Sequence, residues 1–174
     1  MTLYSIGHSN RRLDDFLAVL VDAGIKCVVD VRTFPRSRTN PQFNIEDLPT
    51  SLAEAGIRYE YLADLGGRRR KSKDIAPEVN GFWKVSSFHN YADYARSKAF
   101  QSSFLELLGL CERQRCAMMC SEVLWWRCHR RIITDYAIAA GREVRHIFDV
   151  GHMETASLTP GAVIHDGLVS YPAE

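Results

Sequence analysis

Cys128-His129-Arg130 sets a thiol, an imidazole and a guanidinium side by side. If a helix starts there, its N-terminal amides and the arginine favour a thiolate or a bound phosphate. Cys128 is then a candidate nucleophile, or the segment is an anion pocket. Upstream stands Cys120-Ser121-Glu122. Cys120 closes an apolar run, so core packing and chemistry weigh equally there. Glu122 reads as functional, because carboxylates are seldom buried without a partner. A phosphatase-like loop is excluded. Six residues separate Cys120 from Arg127, none of them glycine, and Glu122 would repel the anion.

A second chemistry weighs less. Cys120, Cys128 and His129, with or without His8, offer thiolate and imidazole ligands that suit zinc. Adjacent side chains are not expected to converge on one ion, and no Cys-x-x-Cys pair is present. Metal is therefore the minority reading. Walker, Gly-x-Gly-x-x-Gly and Gly-x-Ser-x-Gly signatures are absent as well.

Elements of an α/β fold must position these groups. Leu3 to Ile6, Cys27 to Val31, Arg58 to Tyr61, Cys116 to Cys120 and Glu143 to Phe148 read as strands. Helices are expected over Leu13 to Ala23, over Ile45 to Ala55 with an interruption near Pro49, over 90–98, 100–113, and Arg130 to Ala140. Residues 161–171 suggest a small hairpin. The alternation predicts an open, mainly parallel sheet of about five strands flanked by helices, a Rossmann-like three-layer arrangement. The chain, residues 1–174, reads as one domain with a long polar loop at about 66–88 and a C-terminal extension at about 151–174. A chain of this length buries roughly 70% of its unfolded surface and needs no disulfide staple.

In such a sheet, ligands bind outside the carboxyl ends of the strands. Gly7-His8-Ser9 follows the first strand, and Asp30 and Arg32 flank the end of the second. Gly66-Gly67-Arg68 follows the third, and Cys120-Ser121-Glu122 the fourth. Each has a structural alternative: His8 as a cap, Asp30 as a salt-bridge partner of Arg32, Trp125 and Trp126 as packing. Cys27, Cys111 and Cys116 read as core residues.

Charge adds one constraint. Net charge is +1, yet 11 of the 22 basic residues lie in three stretches free of acids: Arg32 to Arg38, Arg68 to Lys73, and Arg127 to Arg131. Brought together, they would form a positive face. Five cysteines, an odd number, and a start without a basic region and apolar core point to a reduced, cytoplasmic protein. No apolar run approaches the roughly 20 residues of a membrane span.

Ordered motifs carry a resemblance. They are Ile6-Gly7-His8-Ser9, Val29-Asp30-Val31-Arg32 with Pro35, Ser37-Arg38, Pro41 and Phe43-Asn44, then Tyr59, Leu65-Gly66-Gly67-Arg68 and Tyr91-Ala92-Asp93-Tyr94. Met119-Cys120-Ser121-Glu122, Trp126-Arg127-Cys128-His129-Arg130, His146-Ile147 and Leu158-Thr159-Pro160 complete them. The chain resembles the DUF488 family along essentially its whole length. The resemblance implies a single cytosolic α/β domain and no assigned function, with loose links of some members to DNA metabolism.

The residues favour an enzyme acting on a phosphate-bearing substrate, a nucleotide or nucleic acid. Arg32, Arg38, Arg68 and Arg130, with Ser9 and Ser121, would hold phosphate. Glu122 or Asp30 would act as acid or base, with His8 and His129 as partners and Cys128 as nucleophile. A nucleic-acid-binding module without chemistry is the alternative, and a Cys/His metal- or redox-linked protein the third. No cofactor is named by these residues.

Overall fold

The computed structural model describes residues 1–173. Five short strands run parallel: β1 (Thr2–Gly7), β2 (Cys27–Asp30), β3 (Arg58–Tyr61), β4 (Cys116–Cys120) and β5 (Glu143–Asp149). A sixth, β6 (His152–Thr155), joins antiparallel at the β5 edge, giving the order β3-β2-β4-β1-β5-β6.

Period-two alternation along the central strands sorts side chains between two cores. Leu3, Val29 and Met118 face one side, where α3 (Ser86–Tyr94), α4 (Lys98–Arg113) and α5 (Arg130–Ala139) pack through Tyr91, Phe100 and Ile133. Tyr4, Val28 and Ala117 face the other, against Phe16 of α1 (Leu13–Asp22) and Leu52 of α2 (Leu48–Glu54). The result is a mainly parallel six-stranded sheet between two helical layers, an α/β architecture.

Some boundaries depart from the sequence reading. Pro49 sits in the first turn of α2, where its missing N–H costs nothing, so it starts the helix and does not interrupt one. Ser97 caps α4 by accepting from the Phe100 amide at 3.3 Å, which sets the α3–α4 boundary earlier than expected. The 66–88 segment is tied down at both ends. Arg69 lies 3.8 Å over the Tyr94 ring and donates to the Gly66 and Ala63 carbonyls. Asn80 donates to Asp93 at 2.7 Å, and Trp83 is buried.

The C-terminal hairpin, β7 (Val163–His165) and β8 (Leu168–Ser170), turns through Asp166 and Gly167, both at positive φ. That is the two-residue turn whose twist suits a hairpin. Val169 and Tyr171 pack into the α5 core, and the Tyr171 hydroxyl donates to Asp135 at 2.7 Å. Among the described residues, no helix is long and apolar enough to cross a membrane.

Candidate active site

The carboxyl ends of β1, β2 and β4 and the start of α5 surround a cavity of about 450 Å³. Its floor carries His8, Arg32, Cys120, Cys128 and His129. Its wall carries Ser121, Glu122, Arg68 and Arg127. Gly7 makes this closeness feasible. A Cβ there would lie 2.7 Å from Val123 Cα and closer still to the Glu122 carbonyl, so only glycine lets the chain after β4 cross the end of β1.

Asp30 and Arg32 form a buried pair. The Arg32 Nε and Nη2 donate to the two Asp30 oxygens at 2.9 and 2.6 Å, and Tyr59 donates to Asp30 at 2.7 Å. Asp30 lies beneath the cavity and does not line it. The expectation that it serves as acid or base is therefore replaced by its structural alternative: its oxygens are occupied in holding Arg32. Arg32 Nη2 also donates to the Phe43 carbonyl at 2.7 Å, and Nη1 lies 3.1 Å from His8 Nε2.

That contact fixes the state of His8. Arginine only donates, so Nε2 accepts, while Nδ1 donates to the Ser9 carbonyl at 2.7 Å. His8 is thus the neutral Nδ1–H tautomer, stacked 4.2 Å from the Phe43 ring. Burial, with Arg32 beside it, lowers its pKa to about 4. His146, buried and stacked 4.2 Å from Trp125, is lowered to about 3 by burial and by Arg130.

Two histidines held neutral make a prediction. The unfolded chain protonates both near pH 6.5, and the folded chain does so only near pH 4 and pH 3. Stability is therefore full above pH 6.5 and falls as pH drops through that window, by roughly 3 to 5 kcal/mol for each group. Urea midpoints measured from pH 7.5 to 4 should decline steeply, and His146→Phe should flatten part of the decline. A midpoint independent of pH between 6.5 and 4.5 would contradict this account.

The sulfur centre lies at the start of α5. Cys128 has extended dihedrals (φ −127°, ψ 151°) and His129 helical ones (φ −58°, ψ −17°). This kink turns adjacent side chains to the same side. Cys128 Sγ and His129 Nδ1 lie 3.5 Å apart, and both lie within 4.8 Å of Cys120 Sγ. The expectation that neighbouring residues would not converge is corrected by this kink. The Cys120 thiol, donating to Cys128, and the Arg130 guanidinium lower the Cys128 pKa to about 6 against the opposing effect of burial. Cys120 is pushed well up by donating to Cys128 and by burial.

Arg130, expected to hold phosphate, does not line the cavity. It is 1% exposed and donates to Ser5 Oγ at 3.1 Å, Cys128 Sγ at 3.4 Å and the Glu122 carbonyl. It supports the walls of the site. Arg38 is exposed outside the cavity, and Ser9 turns its hydroxyl toward Asn10. Trp125 and Trp126 also lie outside it.

Glu122 faces the cavity half-buried. Its Oε1 accepts from the Leu124 amide at 3.0 Å, which leaves Oε2 for a bound molecule. The three basic stretches meet only in part, through Arg32, Arg36, Arg68 and Arg127. Arg32 is matched by Asp30 and Arg36 by Glu46, which leaves, among the described residues, Arg68 and Arg127 as the cations offered to a ligand. Arg36 and Arg127 were legible as members of basic stretches. Thr33, Asn40, Ser87 and Phe88 also line the cavity, and no signal in the sequence marks them.

Fold and site together define an open α/β domain with a sulfur-floored, arginine-walled cavity at the carboxyl edge of its sheet. The chain belongs to the family described as domain of unknown function DUF488, whose model matches residues 12–137. The motifs at Ile6–Ser9, His146-Ile147 and Leu158–Pro160 fall outside that span. No curated protein and no solved structure matches the chain.

Proposed function

We propose that the chain is an enzyme acting on a small phosphate-bearing substrate of nucleotide size. The observation that carries this reading is the convergence of an unshared carboxylate oxygen on Glu122 with the cations Arg68 and Arg127 on one cavity. A volume of about 450 Å³ falls in the range of small-molecule sites. Arg68 and Arg127 hold the phosphate, Glu122 moves a proton, and the Cys128 sulfur is the electron-rich centre on the floor. Arg32, matched by Asp30, donates to His8 and holds that ring at the floor.

The test is thermal-shift screening of phosphate-bearing metabolites, followed by calorimetry. Nucleotides should stabilise the protein, and Arg68→Ala or Arg127→Ala should each weaken binding about tenfold, the scale of one charge-assisted hydrogen bond. Single-stranded and double-stranded nucleic acids belong in the same screen across a salt series. Tight, steeply salt-dependent binding to those, with none to nucleotides, would replace this reading by the binding-module one.

A further inference from the structure

We infer that Cys120, Cys128 and His129 form a site for one zinc-class divalent ion, with its fourth position open to the cavity. The inference deepens the proposed active site but rests on the cluster's own geometry.

Three observations carry it. The first is hydrogen bonding around His129. Its Nε2 lies 2.8 Å from the Val31 carbonyl, which can only accept, so Nε2 carries a proton. In the neutral ring Nδ1 is then a bare lone pair, and it faces Cys128 Sγ at 3.5 Å. A ligating histidine whose other nitrogen donates to a backbone carbonyl is the usual outer support of a metal site.

The second is the hydrogen bonding around Cys128. Arg130 is buried, and its partners are a hydroxyl, a carbonyl and the Cys128 sulfur. The Arg130 Nε–H is aimed at Cys128 Sγ at 3.4 Å, so a cationic donor supports that sulfur from behind. Cys128 Sγ and the Nδ1 lone pair of His129 face each other, and either a proton or a metal ion can sit between them. Cys120 Sγ lies within 4.8 Å of both, and its further hydrogen-bond partner among the described residues is Ser121 Oγ at 3.9 Å.

The third is distance. Zinc bonds of about 2.3 Å to sulfur and 2.05 Å to nitrogen give a tetrahedral S–N edge of ~3.6 Å. The Cys128–His129 separation of 3.5 Å matches that edge. Two thiolates and one imidazole form the soft ligand set that selects zinc among the common divalent ions. Two thiolates also neutralise the ion's charge, leaving Arg130 to donate to a bound sulfur. The cavity opens above the cluster, so the fourth ligand is water or substrate, as in catalytic sites with three protein ligands. With the ion in place Cys128 is a ligand and not a nucleophile.

The experiment is metal analysis of the purified chain, then chelation and titration with Co²⁺. The expected result is zinc near one per chain, and one equivalent of Co²⁺ giving tetrahedral d–d bands with thiolate-to-cobalt charge transfer, displaced by Zn²⁺. Cys128→Ser and Cys120→Ser should abolish the charge-transfer signal with circular dichroism unchanged. Cys111→Ser, far from the cavity, should leave it intact. Gly67→Ala offers a gentler probe, because its Cβ would lie 2.7 Å from His129 Cγ; it should weaken Co²⁺ binding about 10- to 100-fold. Absence of stoichiometric binding, or binding that survives Cys128→Ser, overturns the site in favour of a thiolate–imidazolium pair. Nucleotide binding through Arg68 and Arg127 is read in a separate titration, so either conclusion can fail without the other.

Discussion

Glu122→Gln is expected to lower turnover about 10²- to 10⁴-fold, the usual contribution of a positioned acid or base, while substrate binding holds or tightens. The two effects have separate causes. The amide cannot exchange a proton with the substrate, so the rate falls. It also removes a negative charge from a cavity that attracts an anion, so affinity does not fall. The fold should be unchanged, because the glutamine oxygen can still accept from the Leu124 amide, the one hydrogen bond the Glu122 side chain makes among the described residues. Steady-state kinetics on the substrate found by screening would read kcat down with KM equal or lower. An unchanged kcat removes Glu122 from the mechanism. A raised KM with kcat intact would make it a binding group only.

How far the sequence foretold this arrangement depends on where the information lies. The buried strands were legible because burial on both faces demands continuous apolar runs: Cys116 to Cys120 is such a run and is β4. β6 was not legible. His152–Thr155 is largely exposed and is held by backbone bonds to β5, so its side chains carry no pattern. The edge where ligands bind was likewise legible from strand order, and it brought His8, Arg32, Ser121, Glu122, Cys128 and His129 to one cavity. Which way each side chain points was not. Arg38, Arg68 and Arg130 looked alike as members of basic stretches. One is exposed outside the site, one lines it, and one is buried beneath it. Backbone dihedrals decide such cases, as at Cys128 and His129, and a residue list does not encode them.

The buried pair behind Arg32 supplies the largest stability effect. Asp30→Asn is expected to cost about 3–5 kcal/mol, because it leaves a buried guanidinium without a carboxylate. Asp30 is fully buried and Arg32 is 5% exposed, so water cannot compensate. Tyr59 would lose its charged acceptor as well. For a chain of this size, that cost lowers the melting temperature by about 10 °C. Arg32→Met alone should also destabilise, since it strands the Asp30 carboxylate. Combining the two should cost less than their sum, because neither charge then remains unpaired. Chemical denaturation of the four proteins in this cycle measures the coupling directly. Additive losses would mean that the pair is not coupled and that each group is satisfied elsewhere. A positive coupling would place Asp30 in the framework that aims Arg32 and His8 into the cavity, and it would explain how a carboxylate beside an anion site avoids repelling the ligand: its charge is spent on the arginine above it.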